Sequence, residues 1–128
     1  MAEKEIITTE KTASAVGPYS QAMKIGDLIF TSGQLGISPS TGKMVEGGIE
    51  SETRQALENL KAILEAGGSS LDEVVKTAVF ITDMNDFAKV NKIYSEYFTG
   101  GFPARSCVEV GALAKGAQIE IEAIATSK

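Results

Sequence analysis

The chain has 128 residues, and domains commonly run to about 100–200, so a single domain over 1–128 is expected. Apolar residues make up 43% and charged residues 23%, a balance that excludes a disordered chain. Net charge is −5 with no dense Lys/Arg run, which argues against nucleic-acid binding, because phosphates are neutralised by clustered cations.

Residues 4–12 mix β-branched and charged types and predict a first, edge strand. The start, Met1-Ala2-Glu3-Lys4-Glu5, leads into no apolar segment long enough for a signal peptide or a membrane span. Between Met23-Lys24-Ile25 and Leu28-Ile29-Phe30-Thr31, Gly26-Asp27 predicts a tight hairpin turn. Ser38 to Gly48 reads as loop, with a short strand near Met44-Val45. Residues 49–66 predict a helix whose Ile49, Ala56, Leu57, Leu60, Ile63 and Leu64 form one apolar stripe. Arg54–Glu58 and Lys61–Glu65 stand four apart on its exposed faces. Gly67-Gly68 stops it, and Ser70 with Glu73 has capping-box spacing for a brief helical turn.

The β-branched run 74–81 predicts a central strand buried on both faces. A second helix follows over 84–98, with Phe87, Val90, Tyr94 and Tyr97 or Phe98 on one side. Gly100-Gly101 and Pro103 end it. The last strands are 104–110 and 117–125, joined by a loop holding Gly111 and Gly116. The order is β-β-α-β-α-β-β, with one further short strand early, an α/β (α+β) class fold. Both helices should lie on one face of a mixed sheet. The strands are apolar on both faces, so a partner subunit is expected to cover the other side, as in a homo-oligomer.

The chemistry is bounded by what the chain lacks. There is no histidine and one cysteine, Cys107, so Ser-His-Asp, Cys-His and His/Cys metal sites cannot be built within one chain, and no metal or other cofactor is expected. The lone cysteine also excludes an intrachain disulfide and suits a reducing, cytoplasmic setting. Gly36 to Lys43 is no phosphate loop: five residues separate Gly36 from Gly42, and Met44 stands where Ser or Thr must meet magnesium. Strand alternation puts Arg105, Cys107 and Glu109 on one face, and Gln118, Glu120 and Glu122 on one face. With these strands paired as a hairpin, Val110 across from Ala117, Cys107 lies opposite Glu120 and Arg105 opposite Glu122, with Glu120 on the diagonal. A slip of one residue would set Arg105 beside isoleucines, chemically a worse arrangement. An arginine fork suits a carboxylate ligand. Against this stand plainer readings: Arg105 merely pairs with Glu120 or Glu122, Glu120 is a solvated strand carboxylate, and Cys107 is an inert buried thiol.

The chain resembles the RidA (YjgF) imine deaminases through motifs spread over about a hundred residues. They are Gly17-Pro18-Tyr19-Ser20-Gln21-Ala22, Phe30-Thr31-Ser32-Gly33-Gln34, Gln55-Ala56-Leu57-Glu58-Asn59-Leu60 and Phe87…Asn91…Tyr94…Tyr97-Phe98. Pro103-Ala104-Arg105-Ser106-Cys107-Val108-Glu109-Val110 follows, then Lys115-Gly116-Ala117 leading into Ile119-Glu120-Ile121-Glu122. The resemblance implies a chorismate-mutase-like fold, a homotrimer, and sites in the clefts between subunits. It implies hydrolysis of 2-iminobutanoate and 2-iminopropanoate to 2-oxo acids and ammonia. Arg105 matches the carboxylate anchor and Glu120 the group that positions or activates water. Tyr19, Ser32, Gly33, Asn91 and Cys107 match positions lining the cleft. One departure is Ala114, where many members carry proline. Two alternatives stay open: a module that binds or senses 2-oxo acids or amino acids, and a ribonuclease or translation inhibitor, which the acidic, histidine-free composition disfavours.

Overall fold

The expected hairpin at Gly26-Asp27 forms the first pairing: β2 (Ala22–Ile25) and β3 (Leu28–Thr31) run antiparallel with Ile25 opposite Leu28. Gly26 takes the left-handed φ of 55° that the turn demands. β1 (Lys4–Ile7) adds to the outer side of β2 and ends the sheet, shorter than the 4–12 expected. The computed structural model describes residues 3–127, so Met1 and Ala2 of the charged start lie outside the described residues. Among those described, no helix is long and apolar enough to cross a membrane.

After a loop closed by an Ile37–Met44 bridge comes α1 (Gly48–Ala66). Its predicted stripe is buried as expected, with Ala56, Leu57, Leu60, Ile63 and Leu64 fully enclosed. Gly68, at φ 85°, supplies the left-handed residue past its end. The Arg54–Glu58 spacing does not become a pair. Arg54 instead reaches Glu96 at 3.1 Å, and Tyr97 donates its hydroxyl to Glu58 at 2.7 Å. A longer-range packing between two helices thus overrides the i,i+4 preference, worth only about 0.2–0.5 kcal/mol. The Ser70 turn forms at Leu71–Glu73, but the Glu73 amide bonds the Ser70 backbone carbonyl, and no side-chain cap is made.

β4 (Val74–Ile81), α2 (Phe87–Tyr97), β5 (Ala104–Glu109) and β6 (Ile119–Thr126) complete the chain. The sheet order is β1-β2-β3-β6-β4-β5. This corrects the expected final hairpin. β5 runs parallel to β4 with Arg105 beside Thr77, and β6 pairs with β4 from the other side with Ala123 beside Thr77. β4 therefore separates the two strands that were expected to touch. One face of the sheet, carrying Ala22, Ile29, Val79, Ile81, Ile119, Ile121 and Ala125, joins α1 and α2 in the core. The mixed sheet with helices on one face agrees with expectation.

The other face is open in the chain. It presents Ile6, Ile25, Leu28, Phe30 and Val108, each at least 39% exposed. On β4 it shows Lys76, Ala78 and Phe80 half-buried, so the strand expected to be buried on both faces is enclosed on one. Val75 bulges from the ladder.

Gly36 lies flat on α1: a Cβ there would stand 2.7 Å from the Glu52 Cα. The obstacle is backbone, so Gly36→Ala is expected to destabilise the fold by about 1–3 kcal/mol. Gly111→Ala, which meets nothing within 4 Å, should stay within about 0.5 kcal/mol of the parent. Urea unfolding of the two variants checks the contrast.

Candidate active site

In a pleated strand, residues side by side across the ladder project to the same face, and the face alternates along each strand. Arg105, Thr77 and Ala123 form one row, and Val108, Phe80 and Glu120 another, three positions along β4. Odd spacing sends them opposite ways. Arg105 and Cys107 rise on the helix-covered face, while Glu120 and Glu122 stand on the open face. The expected cluster of Arg105, Cys107 and Glu120 within one chain is therefore absent, because the strand order puts each side chain one register step from the hairpin arrangement. What exists instead is a pair of separate hollows.

The first hollow, of about 420 Å³, is lined by Tyr19, Ser32, Gly33, Gln34, Asn59, Lys115 and Glu120, with Ala13, Ala15 and Val16 on its apolar side. Its Glu120 and Gly33 are in intimate contact: a Cβ on residue 33 would sit 2.5 Å from the Glu120 Cδ. Glycine is what leaves room for the carboxyl. An antiparallel bridge between Gln34 and Ile121 fixes that approach, the two backbones exchanging hydrogen bonds of 2.8 and 3.0 Å. Ser32 donates its hydroxyl to the Ser20 carbonyl at 2.6 Å, which leaves its oxygen free to accept. Tyr19 is half-exposed at the rim, its ring beside Gly17. Burial, and then the neighbouring Glu122, push the Glu120 carboxyl above the usual carboxylate range.

The second hollow, of about 490 Å³, is lined by Asn91, Tyr94, Ser95, Phe102, Pro103 and Arg105. The Arg105 guanidinium donates to Asn91 Oδ1 at 2.8 Å and lies 5.4 Å from the centre of the Phe87 ring and 4.9 Å from that of Tyr94. Cation–π contacts and one amide orient the fork. Among the described residues no carboxylate lies within ion-pair distance of it, which removes the plainer reading that Arg105 merely pairs with Glu120 or Glu122. Cys107 is half-buried on the same strand. Burial raises its thiol pKa and Arg105 only partly offsets this, so it is not a thiolate nucleophile at neutral pH.

The expected site residues thus sort by hollow: Tyr19, Ser32, Gly33 and Glu120 in one, Asn91 and Arg105 in the other, and Cys107 two residues along β5 from Arg105. Sequence reasoning assigned Phe87 and Tyr94 to helix packing and missed their second role beside the guanidinium. Their spacing with Asn91, one face of α2, carried that signal. Lys115 was missed as a wall of the Glu120 hollow. It is the one non-glycine at positive φ (58°) among the described residues, in the Lys115-Gly116 turn.

The family described as endoribonuclease L-PSP matches residues 9–127. The chain is 56% identical to a RutC family protein of Pyrococcus horikoshii, over 95% of this chain and 97% of that one. It is 50% identical to the 2-iminobutanoate/2-iminopropanoate deaminase of Mus musculus, over 95% and 90%. Among solved structures, a protein of the conserved Rid family from Yersinia pestis superposes with a TM-score of 0.94 at 50% identity, covering 97% of this chain and 99% of that one. Escherichia coli TdcF with bound serine superposes at 0.91 with 42% identity, covering 97% and 99%.

A carboxyl with a raised folded-state pKa favours its neutral form, so ionising Glu120 opposes folding. That stability is intact below the unfolded value of about 4.3 and is lost as pH rises through the higher folded value. Glu120→Gln, neutral throughout, is expected to melt above the parent at neutral pH, with the gap closing below about pH 4.3. Paired thermal melts across that range measure it, and a gap independent of pH would contradict the assignment.

Proposed function

The chain belongs to the L-PSP (Rid) family, and from that premise we propose that it hydrolyses 2-imino acids such as 2-iminobutanoate and 2-iminopropanoate to 2-oxo acids and ammonia. The observation that carries this reading is the 50% identity to the mouse deaminase over 95% of this chain and 90% of that one. The active unit in this reading is a homotrimer, with the Arg105 hollow of one copy closing over the Glu120 hollow of the next. The apolar open face, otherwise exposed to water, supports association of this kind.

The chemistry then divides between two copies. Arg105, with no carboxylate within ion-pair distance among the described residues, grips the substrate carboxylate through its fork. Asn91 and the two rings keep the guanidinium in place. A protonated imine is already electrophilic at carbon, so water needs only to be oriented and relieved of a proton. Glu120 takes that proton as the C–O bond forms, giving a carbinolamine. It returns the proton to nitrogen, and as the C–N bond breaks the carbinolamine hydroxyl gives its own proton to the Glu120 carboxylate, which passes it to the departing ammonia, leaving the 2-oxo acid and ammonium. A carboxyl held above the usual carboxylate range by burial is a stronger base once ionised, which suits the first transfer, and a ready donor once protonated, which suits the second. Tyr19 and Ser32 supply polar contacts at the rim, and Gly33 gives Glu120 its space.

A second reading, a module that binds amino or 2-oxo acids without turning them over, is favoured by the serine held in the TdcF structure. Turnover separates the two.

Arg105→Ala is expected to lower imine hydrolysis by about thirtyfold to several thousandfold, the equivalent of roughly 2–5 kcal/mol for a lost desolvated charge contact. A coupled assay in which a dehydratase generates the imine in situ measures it, and near-parental turnover would move the anchor elsewhere. The shared site has its own test. Glu120→Gln and Arg105→Ala, each strongly impaired alone, should regain about a quarter of the parental rate when unfolded and reassembled together in equal amounts, because one junction in four then joins an intact Arg105 to an intact Glu120. No recovery would confine the site to one chain and refute the two-copy arrangement.

A further inference from the structure

The inward face of α1 is apolar except at a few points, and two of those are hydrogen-bonded to the chain segments that form the Glu120 hollow. Glu52 is 4% exposed and Asn59 2% exposed. They stand seven residues apart, two turns along the same side of the helix. Glu52 Oε1 accepts from the Gln118 amide at 2.8 Å, just ahead of Glu120. Asn59 Nδ2 donates to the Leu35 carbonyl at 3.1 Å and the Ile37 carbonyl at 3.0 Å, just beyond Gly33.

Gln55, between them, donates to Asn59 Oδ1 at 2.9 Å. That bond sets the orientation of the amide, so that its NH2 group faces the two carbonyls. We propose that Glu52 and Asn59 are positioning residues: they tie the Gly33 segment and the Glu120 strand to one rigid helix and so fix the carboxyl in its hollow.

Three observations meet in this assignment. The two tied segments are the two whose contact defines the carboxyl's surroundings, through the Gly33–Glu120 approach and the Gln34–Ile121 bridge. Gly36 presses against Glu52 with no room for a Cβ, so the loop is seated on α1 at the point of attachment. Asn59 itself lines the hollow. Core filling alone would be served by leucine at either place, whereas a carboxylate and an amide add direction. Displacing a reacting group by about 1 Å costs on the order of a hundredfold in rate, so ties of this kind reach the chemistry without touching substrate.

The assignment of a kinetic role rests on the imine-hydrolase reading, but its first readout does not. In the assembled protein, carbon-13 NMR titration follows the Glu120 carboxyl in the parent, Asn59→Leu, Glu52→Leu, Glu52→Gln and Gln55→Leu. With the Gly33 segment released, water enters, and the Glu120 pKa should fall back toward the ordinary carboxylate value in both leucine variants of the tying residues. Glu52→Gln keeps the acceptor oxygen and should restore parental behaviour. Gln55→Leu, outside the core, should shift it in the same direction by less, and decides the matter if the buried variants do not fold. On imine substrate, kcat should fall about ten- to a hundredfold in Asn59→Leu while KM changes by less than about threefold. Folded variants with the parental Glu120 titration overturn the inference. A parent inactive on imines overturns the functional reading alone, since the titration still decides this one.

Discussion

The alternation of side chains along β-strands is the constraint from which the rest of this structure follows. With β6 inserted between β3 and β4, Glu120 shares a row with Phe80, and Arg105 shares one with Thr77. Three positions of β4 separate the rows, so the Arg105 guanidinium and the Glu120 carboxyl face away from each other through the sheet. No rotamer change brings them together in one chain. A fold that separates them so firmly is a fold in which the site, as we read it, belongs to an assembly.

How much of this could be seen in the chain beforehand depends on the range over which each signal acts. Helices and turns are written locally: the Ile49 to Leu64 stripe, the Gly26-Asp27 turn and the Val74–Ile81 run all formed close to where periodicity and propensity put them. Strand partners are not written that way. Residues 104–110 and 117–125 have matching alternation and a glycine-bearing connection, the same signature a hairpin has, and nothing in them says that β4 will stand between. The error flipped faces rather than residues. The individual site residues were named by family motifs, and the grouping of Arg105, Cys107 and Glu120 expected from a hairpin is the part that the strand order overturned.

Arg54 carries a similar lesson at smaller scale. Its local partner four residues on was Glu58, yet the two helices brought Glu96 to Arg54 and Tyr97 to Glu58. The Tyr97 hydroxyl is pushed up to about 12, by burial first and by Glu58 next, so it donates as a neutral phenol throughout the neutral range. Tertiary proximity decided both pairs. By contrast, Gln21 finds its partners within a dozen residues, accepting from the Thr9 backbone amide and donating toward the Thr9 and Ala13 carbonyls and the Thr12 hydroxyl. That amide ties down residues leading into the wall of the Glu120 hollow.

The raised pKa of Glu120 acquires a wider meaning in a chain without imidazole. Most proteins blur any single protonation event near neutrality beneath a background of histidines. Here that background is silent, and burial has driven the lone thiol away from the same window. With neither imidazole nor thiolate to share it, the proton that burial and Glu122 favour on Glu120 meets no competing acceptor of those kinds anywhere in the sequence.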